Sequence, residues 1–188
     1  MNNDQPTQET LLPHAGNYRK LFSCQKAEAI YDITYYFCKN YLQRFDRTID
    51  QMMQAARSGK QNIVEGYAAS ATSKETEIKL VNVAKASLHE LLIDYEDYLR
   101  KRNNRQWENG SVELQKMSEL GRKHNDTAVY MTLIKTRSPE TISNITICLI
   151  KQTDYLLFKQ LQSNSEDFLK NGGMRERMTR MRLKRKKS

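Results

Sequence analysis

Between Tyr67 and Asn109 the chain contains neither glycine nor proline, the two residues that most readily break a helix. Within that stretch Ile78, Val81, Leu88, Leu91, Leu92, Tyr95 and Leu99 recur at steps of three and four. Side chains so spaced share one face, which predicts a single long helix over 73–102. Thr72, followed three residues later by Glu75, fits a capping box at its start. At about 1.5 Å per residue such a helix is roughly 45 Å long. Propensity alone does not hold a helix of that length in water. Its apolar stripe must be buried along most of it, so other long helices are expected alongside.

Three further stretches carry the same periodicity. Over 18–43 the apolar set is Leu21, Phe22, Ala27, Ile30, Tyr31, Thr34, Phe37, Cys38, Tyr41 and Leu42, with Asn17 as its cap. Over 47–68 it is Ile49, Met52, Met53, Ala56, Ile63 and Val64, capped by Asp46. Gly59 lies inside this helix, where it is unfavourable by about 1 kcal/mol relative to Ala. Over 139–170, Ser138-Pro139-Glu140 supplies a cap, a proline in the first helical position and an acid at the positive end of the dipole. Ile142, Ile145, Cys148, Leu149, Leu156, Leu157, Phe158 and Leu161 then mark more than one apolar face. Asp154 lies among them and is expected to pair with a cation of another helix. Gly172-Gly173 ends the helix.

The expected fold is all-α, an antiparallel up-and-down four-helix bundle over 17–171 with a basic C-terminal tail over 172–188. Residues 1–16 hold two of the three prolines, Pro6 and Pro13, and little apolar material, so a flexible arm is expected there. The connection 103–137 is an insertion. In it Trp107 is expected to plug onto the bundle, and Asn109-Gly110 signals a turn. Val112, Leu114, Met117 and Leu120 suggest a short helix stopped by Gly121. Thr127–Thr136 reads either as a helical turn or as an extended segment.

Charge is distributed unevenly. The chain's net charge is +9, and its last fifteen residues hold Arg175, Arg177, Arg180, Arg182, Lys184, Arg185, Lys186 and Lys187 against Glu176 alone. That is +7 in the tail and only +2 in the other 173 residues. A concentrated cationic end suits a polyanion, because each neutralised phosphate releases condensed counterions. The plainer reading is a solubilising end. The tail's partial helical periodicity (Arg175, Met178, Arg180, Met181, Leu183) is read as a segment that orders on binding nucleic acid, a calmodulin-like partner or an anionic membrane surface. A second cluster, Arg100, Lys101, Arg102 and Arg105, suits the negative end of the long helix. Tyr31, Tyr35 and Tyr36 serve either base stacking or packing.

A resemblance joins these features. Ala55-Ala56, Ser58, Asn62-Ile63-Val64-Glu65-Gly66, Ser73-Lys74-Glu75 and Ala84-x-Ala86-Ser87-Leu88-x-Glu90-Leu91 resemble the four-helix-bundle proteins encoded in ribosomal RNA intervening sequences. That superfamily includes the accessory proteins of diversity-generating retroelement reverse transcriptases. Trp107, Gly121-Arg122-Lys123-His124-Asn125-Asp126, Asp154-Tyr155-Leu156-Leu157 and Gly172-Gly173-Met174-Arg175-Glu176-Arg177-Met178-Thr179 are similar to a subgroup with a C-terminal "suffix" segment. Related proteins usually carry Ile-Pro where this chain has Gly59-Lys60. The resemblance implies a homo-oligomeric ring, often a pentamer, with no enzymatic activity and with RNA, DNA or a reverse transcriptase as a partner.

Chemistry-bearing motifs are sparse. Asn62, Glu65 and Gly66 read structurally as groups that satisfy amides at a helix junction and let the chain turn. Functionally, one carboxylate and one amide are too few for acid–base catalysis without a further partner. His14, His89 and His124 are scattered, and no phosphate loop or dinucleotide fingerprint occurs. Cys24, Cys38 and Cys148 lie in apolar helical contexts and read as reduced core thiols; no metal site or cofactor is expected. No apolar run reaches a membrane span, and the first ten residues lack a signal-peptide layout, so a cytoplasmic protein is expected. The expected function is a nucleic-acid-binding accessory protein, with a protein-interaction scaffold as the alternative.

Overall fold

The computed structural model describes residues 16–44 and 46–187. They form a 3-10 turn, Tyr18–Lys20, and seven helices: α1 (Phe22–Tyr41), α2 (Arg47–Ala69), α3 (Lys74–Lys101), α4 (Val112–Lys123), α5 (Thr127–Ile134), α6 (Pro139–Asn171) and α7 (Met174–Lys187). No strand occurs among the described residues. The apolar stripes face one another: α1 packs on α2 and α6, and α3 packs on α2 and α6, so the four long helices close a cycle. At the centre Phe37 packs on Tyr95 and Tyr98, with ring centroids 5.1 and 4.7 Å apart. The fully buried Tyr95 hydroxyl donates to Thr34 Oγ1 at 3.1 Å, which satisfies the one polar atom that ring brings inside.

Pairing is most extensive between α2 and α3, and two glycines govern it. A Cβ on Gly59 would stand 2.8 Å from Leu88 Cδ2 and 2.9 Å from Leu88 Cγ, so Leu88 occupies the space a side chain would need. One turn-pair further on, Gly66 is buried against Leu80, Val81 and the carbonyl of Glu77, with room for a methyl group at 3.4 Å. Gly66 was expected to redirect the chain. Instead α2 runs through it to Ala69, because the link to α3 is made later by the turn at Ser70–Ser73.

Caps follow local chemistry. Asp46 accepts from Thr48 N, and Ser138 accepts from Thr141 N, as the sequence suggests. Asn17 caps the 3-10 turn rather than α1, since the extended backbone of Leu21 separates the two. The cap of α3 is Ser73, which accepts from Thr76 N, and not Thr72, whose hydroxyl donates back to Ala69 O at 3.2 Å.

The insertion folds onto the cycle, α4 on α6 and α5 on α1. Asn144 of α6, 2 % exposed, holds its entry. Its Oδ1 accepts from Trp107 N at 2.7 Å, and its Nδ2 donates to Arg105 O at 2.9 Å. Trp107 then packs on the core as expected. Thr127–Ile134 is helical, with Asp126 as cap. Gly121 does not stop α4, which continues to Lys123; the amide of Gln152 lies directly over Gly121, where a Cβ would collide with it.

The two glycines should respond oppositely to alanine. Gly66→Ala should be neutral or stabilising by up to about 1 kcal/mol, the helix-propensity gain. Gly59→Ala should be destabilising by about 1–3 kcal/mol through overpacking on Leu88. Denaturant unfolding of both variants checks this, and Leu88→Ala should relieve the Gly59→Ala penalty in a double-mutant cycle.

Candidate nucleic-acid interface

The basic tail begins at a glycine stop. Gly172 has φ +70°, a left-handed conformation that suits glycine, and its N–H donates to Phe168 O at 2.9 Å to close α6. Two residues later the backbone re-enters helix as α7. Met174–Lys187, whose partial periodicity suggested a segment that orders on binding, is helical. All eight basic residues of the tail fall within this helix, roughly 21 Å long at about 1.5 Å per residue. The side chains of Arg180 and Arg182 are exposed; those of Arg175, Arg177, Lys184, Arg185, Lys186 and Lys187 lie outside the described residues. Among the described residues α7 has no packing surface comparable to those linking the other long helices.

The second basic cluster is partly offset by two neighbouring acids. Asp97 accepts from Arg100 at 2.8 Å and lies 3.4 Å from Lys101, and the Arg100 hydrogen bond holds its carboxyl below the usual range. Arg102 stacks 4.0 Å over the Tyr98 ring, and Arg105 lies 3.6 Å from Glu113. Lys60 likewise sits 4.0 Å over Tyr31. Tyr36 packs edge-on to Tyr41 at 6.2 Å, and of the three clustered tyrosines Tyr35 is the exposed one. These contacts are those of packing and local pairing, which leaves α7 as the concentrated source of positive charge.

Asn62, Glu65 and Gly66 do not converge on a site. Asn62 Nδ2 donates to Ser58 O at 2.9 Å and to Ser58 Oγ at 3.2 Å, and Ser58 Oγ is 2.8 Å from Ser87 Oγ of α3. Asn62 therefore supports a polar link across the α2–α3 crossing. Glu65 is exposed, Gly66 is buried against α3, and His89 and His124 are both exposed and far along the chain. Cys24, Cys38 and Cys148 are buried free thiols, and no cluster of metal-ligating side chains occurs among the described residues. No helix there is long and apolar enough to cross a membrane.

No family model, no curated protein and no solved structure matches this chain.

The residues that sequence reasoning missed surround α4. Lys26 lies on the apolar stripe of α1, 4 % exposed, and its ammonium donates to the backbone carbonyl of Gly121. Burial drops its pKa from the ordinary 10.5 to about 8. Nearby Cys148 offers no counter-charge, because burial pushes its thiol up. The available signal was a lysine one residue before Ala27 and four before Ile30, on the buried side of an amphipathic helix.

Because the folded pKa lies below the unfolded one, the unfolded chain binds more protons between pH 8 and 10.5, and the Lys26 contribution to stability rises across that window. Lys26→Met should therefore be more stable than wild type at pH 7, by about 1–2 kcal/mol after the lost bond to Gly121 is counted. Its advantage should vanish by pH 10.5. Paired denaturant titrations across pH measure this difference directly.

Proposed function

We propose that this protein is a non-enzymatic accessory protein that binds RNA or DNA through α7, with α1, α2, α3 and α6 forming an antiparallel up-and-down four-helix bundle as its platform. The observation that carries this reading is the net +7 held by one fourteen-residue helix, against +2 for the rest of the chain. Arg and Lys packed at that density match the charge spacing of a nucleic-acid backbone. The local pairing of Arg100, Lys101 and Arg105 with acids supports assigning the contact to α7 rather than to the bundle.

The resemblance to ribosomal RNA intervening-sequence proteins and retroelement accessory proteins supports the same reading and adds a cytoplasmic homo-oligomeric ring, five subunits being the frequent number. Exposed Val83, Ile93, Tyr155 and Phe158 on the long helices supply apolar area for subunit contacts. A ring would present several copies of α7 to one polyanion and convert weak single contacts into avid binding. The same exposed apolar residues favour the second reading, a scaffold that engages a protein partner such as a reverse transcriptase and carries no nucleic acid.

Binding of labelled RNA and duplex DNA across a salt series separates the two. The full chain should bind with an affinity that falls steeply with salt, at a limiting slope of about −7 per chain on duplex DNA if all eight basic residues meet phosphate. A version ending at Gly172 should lose that binding. Absence of binding by the full chain at low salt would remove the nucleic-acid reading.

A further inference from the structure

Beside Lys26 the surfaces of α1, α4 and α6 enclose a cavity of about 470 Å³, within the usual size of small-molecule sites, about 300–1,000 Å³. Its walls are mostly apolar, with Leu114 and Leu156 inside and Phe22 and Tyr155, both more than half exposed, among the lining residues. Its charges are of one sign: Lys26, Arg122 and Lys151 line it, and no acidic residue does so among the described residues. Lys151 has only a distant partner, Glu96 at 3.9 Å. Lys26 has a single neutral partner, the Gly121 carbonyl, although an ammonium can donate three hydrogen bonds.

Two lining side chains also carry buried acceptors with nothing to accept from, Gln152 Oε1 and Asn125 Oδ1. The orientation of the Gln152 amide is fixed, because its Nε2 donates to Ser118 O at 3.0 Å. Buried polar atoms are rarely left unpaired, and a buried cation is rarely left without an anion. The two shortages lie on one wall: Lys26 bonds Gly121, and the Gln152 amide covers that same glycine.

We propose that this cavity is a binding site for a small amphipathic carboxylic acid, its carboxylate on Lys26 and its apolar body along Leu114, Leu156 and Tyr155. Charge complementarity selects the carboxylate, and the apolar walls select the remainder.

Isothermal titration calorimetry of the full chain with decanoate and 1-decanol, each below its aggregation concentration, tests the proposal. Decanoate should bind at least tenfold tighter than the alcohol. Lys26→Met should bring decanoate down to the alcohol's affinity. Leu114→Trp, which fills the cavity from the α4 side, should abolish binding as well. Equal binding of acid and alcohol to wild type, unchanged acid binding by Lys26→Met or Leu114→Trp, or no binding at millimolar concentration would overturn it. So would sedimentation showing that Tyr155→Ser dissolves an oligomer while no acid binds, since the cavity would then be a subunit contact.

Discussion

At Gly59 the backbone of α2 approaches α3 so closely that a methyl group would stand 2.8 Å from Leu88 Cδ2. The arrangement of the long helices depends on that approach. A glycine in the middle of a helix is unfavourable by about 1 kcal/mol in isolation, and burying the apolar branch of Leu88 against it offsets this. Gly66 repeats the close approach further along α2. Next to Gly59, the Ser58 hydroxyl meets Ser87 of α3, and Asn62 donates to Ser58 in support. With α2 and α3 drawn together, α1 and α6 close the cycle across the Phe37–Tyr95–Tyr98 cluster.

Polar groups brought inside are mostly satisfied in pairs that also fix register. Glu77, 3 % exposed, accepts from Lys74 Nζ and from Gln160 Nε2, both at 3.0 Å, and so ties the start of α3 to α6. Lys85 pairs with Asp154 across the same two helices. Asn144 holds the chain at Arg105 and Trp107. Removing one partner of such a pair leaves a buried group unsatisfied, which destabilises more than the pair itself contributes. The wall of α4 differs, because Lys26, Gln152 and Asn125 keep unused hydrogen-bonding capacity around a cavity.

Long helices were legible in the sequence because their signals are local. A three-to-four residue period, an Asp46 or Ser138 cap and a glycine stop at Gly172 each act within a turn or two. Asp154 was legible as a paired charge, although its partner Lys85 is 69 residues away and could not be named. What failed depended on neighbours distant in sequence. Gly121 reads as a helix stop, yet it is small because Gln152 lies on it. Gly66 reads as a turn, yet α2 runs straight through it beside α3, with room there for a methyl group. The capping-box pattern at Thr72 failed locally, since Ser73 offers an equally good oxygen one residue closer. The eight basic residues of the tail were plain from composition, whereas the Lys26 cavity required three helices to be placed first.

Nearly neutral packed helices carry a separate cationic helix. Hydrogen–deuterium exchange of the full chain, with and without saturating duplex DNA or RNA, tests that separation most directly. Slow exchange is expected through α2, α3 and the first half of α6 in both states, with faster exchange in free α7 and added protection on binding confined to residues 174–187. Protection gained instead along α2 and α3, or around residues 100–105, with α7 unchanged, would contradict it.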